Sequence, residues 1–394
     1  VFDVLKGIRI LDFGKFIAAP LSTWLLSNMG AEVIKMEPVG GSPDRDTFRL
    51  GDSLDGATFV QLHSNKMSVC LDHAAADGRV ILDDLLKRTD VIVLGAPEST
   101  LARQGLDYAS VSKVNPAIIY LNVSAFTSVG PKANEVGFDG IGQAISGSVY
   151  ISGFGEVPTR SFCPFVDVTT GIFSAFAIAC ALVERAKTGK GHKIETALMM
   201  SAYSAMSWML VEQAVTKRDR TRTGNRAQSS GPSDIFKTRD GWIIVQVVGD
   251  SLFKKVAKTI GRPDLIDDPR FKSDNDRADN GALLSEAVSA WCSTLTSAQA
   301  LQALREARVP GSPINSLQQA LEEQQVAALG FVQQFTHPGL DGNLPLFKAP
   351  IMVDGALAEL RSRPPLAGEH TEHVLKRAGY SEQQIATLRA AKIV

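Results

Sequence analysis

The sequence predicts an α/β protein: a largely parallel sheet with helices against it, joined to a smaller α+β unit. Three observations predict this. In the first half, short β-rich runs alternate with helical segments long enough for crossovers, the pattern of βαβ units. A polar stretch, "TKRDRTRTGNRAQSSGPSD" (216–234), then interrupts the apolar pattern. Finally, 394 residues with 44% hydrophobic and 21% charged side chains suffice for two domains with a sizeable core.

The elements follow in order. "IRILDF" (8–13) reads as a strand, "PLSTWLLSNMG" (20–30) as a helix stopped by Gly30, and "AEVIKME" (31–37) as a second strand. Next come the strand "KMSVCLD", the helix "GRVILDDLLKRTD", the strand "VIVLG", two short helical pieces and the strand "AIIYLNVS". A helix "VTTGIFSAFAIACALVERA" and another at 196–216 close this half. Past the polar linker, "GWIIVQVV" is a strand and helices fall around 251–260, 282–295 and 297–308. Beyond "VPGSP" lie a further helix, the strand-like runs "GFVQQF" and "LFKAPIMV", and terminal helices. The expected domains are 1–215, a linker 216–234, a small domain 235–325, and a linker with C-terminal segment 326–394.

Composition excludes several classes of function. Lysine plus arginine, 41, nearly cancels aspartate plus glutamate, 42, so no overall field draws the chain to nucleic acid or anionic lipid. An anionic ligand must be held locally. The apolar tracts 171–183 and 197–211 fall short of the roughly 20 residues of a spanning helix and read as buried helices, so no membrane partner is expected. No basic segment followed by an apolar one marks secretion. Cys70, Cys163, Cys180 and Cys292 are widely spaced, as befits reduced thiols in a cytoplasmic protein, and Cys163 reads as a core thiol. Six scattered histidines form no metal constellation, and no metal is expected.

Two motifs invite a nucleotide reading. Glu37 ends the second strand where a dinucleotide fold places its ribose-binding acid, but "DFGKFIAAP" has one glycine where that fingerprint needs several. "GFDGIGQAISG" (137–147) lacks the strand-turn-helix context. Arg45, Lys66, Arg103 and Lys132 lie in loops or strand ends and could meet phosphates, though isolated surface cations are usually just solvated. Asp167 in "SFCPFVDVTTGIFSAF" is sharper. It reads as the N-cap of the following helix and, compatibly, as a shielded carboxylate nucleophile.

"GIRILDFGKFIAAPLSTWLLSNMGAEVIKMEPVGG", "SNKMSVCLD", "VGFDGIGQAISG", "FVDVTTGIFSAFAIACALVERAKTGKGHKIETALMMSA", "RVPGSPINS" and the terminal "LAGEHTEHVLKRAGYSEQQIATLRAAKIV" together resemble the class III CoA-transferases, the family of formyl-CoA:oxalate and carnitine CoA-transferases. The likeness runs end to end. It implies a Rossmann-like large domain that takes both the N-terminal half and the tail, a small domain inserted between two linkers, and two chains interlocked as rings in a homodimer. It implies Asp167 as nucleophile, passing through an aspartyl anhydride and an aspartyl-CoA thioester. The substrates implied are an acyl-CoA and a small carboxylic acid, with coenzyme A as the carrier. The CoA groove implied by resemblance takes in Ile17, Ala18, Leu71, Asp72, His73, Gly95, Ala96, Pro97, Arg103, Gly137, Phe138 and Asp139, and the substrate pocket Phe48 and Phe59.

The chain also departs from the family. Gly95, Ala96 and Pro97 replace an Asn-Phe-Arg type of segment, and Pro38 and Ala74 stand where some relatives have basic residues, so adenine and phosphate contacts differ from theirs. Oxalate-using relatives have tyrosines at the positions of Phe59 and Phe138 and a glutamine at Ile17, and a glycine-rich loop that is missing after "IIVQVV". Without those polar handles a larger or less polar acceptor than oxalate is expected. The alternatives are an α-methylacyl-CoA racemase, which would need a histidine where Phe138 stands, and a non-catalytic acyl-CoA-binding homologue.

Overall fold

Short β-rich runs of four to six residues form β1 (Arg9–Asp12), β2 (Glu32–Glu37), β3 (Lys66–Cys70), β4 (Val91–Leu94) and β5 (Ile119–Ser124). A short hairpin, β6 (Gly153–Phe154) with β7 (Val157–Pro158), precedes β8 (His192–Ala197). The computed structural model describes residues 2–51, 55–340 and 342–394. Its main sheet has the order β3-β2-β1-β4-β5-β8, every neighbouring pair parallel. Both faces are covered, so alternate residues enter opposite cores: Leu11, Ile34 and Ile92 one of them, Ile10, Val33 and Val91 the other. β8 escapes the sequence pattern because "HKIETA" is an edge strand with polar side chains at alternate positions.

The connections are α1 (Ala18–Asn28), α2 (Ala57–Leu62), α3 (Ala76–Leu86), α4 (Glu98–Arg103), α5 (Tyr108–Val114) and α6 (Asp139–Ile145), then α7 (Ser148–Ile151), α8 (Phe165–Thr188) and α9 (Leu198–Thr216). β1 lies between β2 and β4, so the strand order reverses there. In an open α/β sheet such a reversal leaves a crevice beyond the carboxyl ends of the two strands.

The chain divides into two units, one of Val1–Ser146, Ser161–Ala214 and Gln325–Val394, the other of Gly147–Arg160 and Val215–Gln324. In the first, Val374, Leu375 and Ile385 of the tail join Leu82 and Leu85 of α3 in one core. The second has an antiparallel sheet of β9 (Asp234–Lys237), β10 (Trp242–Val245) and β11 (Gly311–Pro313), with α10 (Asp250–Thr259) among its helices. The sequence reading kept 147–160 with the N-terminal half and 216–234 as a linker. The structure ties the two together: Arg222 donates to the carbonyls of Tyr150 and Gly155, and the Gly224 N–H to that of Gly153.

The expectation of buried apolar helices is corrected. α8 runs for 24 residues, and among the described residues it is the helix long and apolar enough to cross a membrane by length and composition. One side of it is buried, at Val166, Thr170, Gly171, Ser174 and Ile178, and packs on α1. Its other side exposes Ile172, Phe173 and Phe176, and α9 exposes Tyr203, Trp208 and Val211. Cys163 is likewise exposed and not a core thiol, since it lies in an exposed stretch, 161–163, ahead of α8.

Candidate active site

The loop after β1 is held by buried charge. Asp12, wholly buried, accepts from the Gly14 N–H at 2.8 Å, from Thr23 Oγ1 at 2.6 Å and from Lys66 Nζ at 2.9 Å. Burial disfavours its charge, but Lys66 and Lys35 outweigh that and hold its carboxyl below the usual range. Lys35 Nζ donates to the Gly14 carbonyl, so the residue is held through both its N–H and its carbonyl. A Cβ on Gly14 would lie 2.5 Å from that of Ala19, which leaves room for glycine alone. The result is a fixed wall, residues 15–19, at the strand-order reversal.

Asp167 faces this wall from the first turn of α8. It is not the cap that the sequence suggested: the N-cap position is Pro164, and Asp167 is the third helical residue. The capping carboxylate is Asp139, whose Oδ2 accepts from the N–H of Val166 at 2.8 Å and of Asp167 at 3.1 Å. Gln143 Nε2 donates to Asp139 Oδ1 and also reaches the Ser161 carbonyl, which fixes the approach to the helix. Burial, and then the charge of Asp139, push the Asp167 carboxyl up to about 7. Asp139 takes two backbone N–H donors, whereas among the described residues the Asp167 carboxylate meets no such donor.

Asp167 opens into a cavity of about 220 Å³ lined by residues 15–19, 95–97, 123–125, 135–138 and Leu198. Ile17, Ala18, Gly95, Ala96, Pro97, Gly137 and Phe138 are therefore gathered around it. Phe138 meets Phe16 edge to face, with centroids 5.6 Å apart. A second cavity of about 520 Å³ shares Lys15, Gly95 and Ala96 with the first and is lined further by residues 36–39, Leu71, Asp72, His73 and the end of α4. Burial lowers the His73 imidazole, which stands edge-on to Phe13.

Other expected positions lie elsewhere. Phe59, 1% exposed, is sandwiched between the Arg45 guanidinium at 3.9 Å and the His63 ring at 4.0 Å, and lines neither cavity. Its place in the core is dictated by α2, whose inner face it occupies. Phe48 is 65% exposed in a left-handed turn (φ 57°) and also lines neither. Arg103 is exposed and donates to Thr100 Oγ1, although Thr100, Leu101 and Gln104 beside it do line the second cavity. Asp139 acts behind the cavity wall, through the helix end. Arg45 is bound to Glu37, Lys66 to Asp12 and Lys132 to Glu135, so none of these three is a free cation. Residues the sequence reading passed over are Lys15, Phe16 and Leu198, which only the folding of distant segments brings to Asp167. Among the described residues no group of three or more His, Cys, Asp or Glu could hold a metal.

Comparison with known proteins places this geometry in context. The family model described as CoA-transferase family III matches residues 5–371. The chain is 30% identical over 393 residues to succinyl-CoA:glutarate CoA-transferase of Mus musculus, covering 99% of this chain and 90% of that one. It is 30% identical over 396 residues to the succinyl-CoA–L-malate CoA-transferase beta subunit of Chloroflexus aurantiacus, covering 99% and 98% of the two. The crystal structure of a CaiB/BaiF family protein from Brucella suis superposes with a TM-score of 0.82 at 27% identity, covering 95% of this chain and 99% of that one.

Proposed function

The chain belongs to CoA-transferase family III and is a class III CoA-transferase, and from that premise we propose that Asp167 is its covalent nucleophile in exchanging CoA between two carboxylic acids. The observation that carries this is the Asp167 carboxylate, without a partner among the described residues, opening into the cavity at the strand-order reversal.

An Asp167 oxygen attacks the thioester carbonyl, the C–S bond breaks, and the CoA thiolate leaves with the electron pair. The thiolate attacks the aspartyl carbonyl of the resulting anhydride, releasing the donor acid and forming an aspartyl-CoA thioester. The acceptor carboxylate then displaces thiolate from that thioester, and thiolate attacks the acceptor acyl carbon, regenerating Asp167. No water or net proton enters. A carboxylate suits this, because covalent intermediates of the same anhydride and thioester types as the reacting groups split one hard step into easier ones.

The donor and acceptor are proposed as dicarboxylic acyl groups of the succinyl class, supported by the names of both relatives. Phe138 and Ile17 line the cavity without a hydrogen-bonding group, which favours an acceptor with a longer carbon chain than oxalate. A racemase would need a proton carrier where Phe138 stands. We also propose a homodimer, with the apolar outer sides of α8 and α9 as its contact surface; sedimentation of the wild type and of Trp208→Glu tests this.

The test of the mechanism is mass spectrometry after incubation with succinyl-CoA, with hydroxylamine trapping and peptide mapping. A hydroxamate on Asp167 is expected, and none on a folded Asp167→Ala. Normal turnover by Asp167→Ala would overturn the mechanism.

A further inference from the structure

The second cavity has the size for the nucleotide end of a CoA thioester but few charges to meet its phosphates. Glu37 on its wall is neutralised, since both carboxylate oxygens take Arg45 at 2.7 Å and Ser68 adds a third bond at 2.6 Å. Asp72 turns one oxygen to the Ala74 N–H at 3.1 Å. Pro38, on the same wall, brings no charge, and His73 is held toward its neutral form by burial. Among the described residues lining this cavity, the cations are Lys15, at the end shared with the first cavity, and Lys392.

Lys392 comes from the far end of the chain, and its place is built. After the last helix, Glu382–Ala390, the backbone turns back: the Lys392 N–H bonds the Arg389 carbonyl at 3.0 Å and the Ile393 N–H that of Leu388 at 2.9 Å. The Ile393 carbonyl then accepts from the N–H of Asp72 at 2.8 Å, stitching the tail to the cavity rim. Lys392 itself sits at φ 56°, a left-handed conformation that disfavours side chains bearing a Cβ. This is the left-handed position of a helix C-terminal turn closed by those two backbone bonds, and it fixes where the Lys392 side chain leaves the tail. Neither the Lys392 nor the Lys15 ammonium has an ion-pair or hydrogen-bond partner among the described residues.

We propose that Lys392 is a phosphate-binding residue for the nucleotide end of the CoA thioester, so that the C-terminal tail completes the CoA site. This rests on the CoA-transferase reading above and adds to it a residue outside the expected groove. The ammonium acts as a point charge against a phosphate, and Lys15 serves the opposite, pantetheine end of the ligand.

Calorimetry with the full-length protein tests it, using CoA, 3′-dephospho-CoA and pantetheine. Lys392→Ala is expected to weaken CoA about tenfold while leaving pantetheine unchanged, and Lys392→Arg to restore most of the affinity. Dephospho-CoA then identifies the phosphate: equal affinity for wild type and Lys392→Ala assigns the 3′-phosphate, and a retained loss assigns the diphosphate. Unchanged CoA affinity in Lys392→Ala, or equal losses for CoA and pantetheine, would overturn the proposal. Because binding is read without turnover, a wild type that binds CoA but exchanges none would count against Asp167 chemistry and not against Lys392.

Discussion

The Asp139 carboxylate accepts the backbone N–H of Asp167 at 3.1 Å, so one acid closes the helix end from which the other projects. The same proximity makes the pair antagonistic in charge, and after burial it is the second cause of the raised Asp167 carboxyl. Structure and reactivity are thereby coupled through two residues that lie 28 apart in the chain.

Activity should depend on ionised Asp167. With its carboxyl pushed up to about 7, kcat/KM should fall tenfold per pH unit below about pH 7. Asp139→Asn keeps an oxygen to accept the helix N–H groups but removes the repelling charge. Its acidic limb should therefore shift to lower pH, and pH–rate profiles of the two proteins check this.

Stability should show the same group with a definite sign. The folded protein holds the Asp167 proton more tightly than the unfolded chain, whose aspartate titrates near 3.8, so this stabilisation is complete below that pH and is lost as pH rises to about 7. Asp167→Asn does not titrate. It should gain on wild type between pH 4 and 7 and stay ahead by roughly 2 kcal/mol above, allowing for solvent screening of a partly exposed group. Urea denaturation at pH 4.5 and 8 measures the gap.

Removing the buried anion beneath the active-site loop should be costly. Asp12→Ala leaves Lys66 and Lys35 buried without their counter-charge, and a loss of about 3–5 kcal/mol is expected. Gly14 loses the bond to its N–H and keeps the one to its carbonyl, so KM for acyl-CoA should rise as well. Denaturation and steady-state kinetics read the two effects separately.

Gly171 lets α8 and α1 approach. A Cβ there would lie 2.7 Å from the Ala18 carbonyl oxygen and 2.9 Å from Leu21, so Gly171→Ala should destabilise by about 1–3 kcal/mol through overpacking. Since Ala18 and Asp167 line the same cavity, activity should drop too, at a temperature where the variant is still folded.

Phe138 and Phe59 should respond differently to an added hydroxyl. Phe138→Tyr adds a hydroxyl to a cavity wall and should change acceptor preference in a panel of acids. Phe59→Tyr places the hydroxyl at the edge of a buried ring whose faces are taken by Arg45 and His63, and should lower the thermal midpoint with the acceptor ranking unchanged.

The alternation of strands and helices was legible because a strand buried on both faces is a continuous apolar run, as in β4, and its crossover helices carry a 3.6-residue period. β8 was not, since an edge strand with polar alternate residues resembles a loop. Asp167 stood out as a lone charge between apolar segments. By itself the sequence determined the βαβ order, the family and the nucleophile candidate, because these depend on local pattern and motif. Only the tertiary structure decided that Asp139 is the cap, that Phe59 lies in the core and that Lys392 reaches the rim of the second cavity. Each of those rests on contacts between segments distant in the chain, whose geometry follows from how the layers pack and leaves no trace in local periodicity.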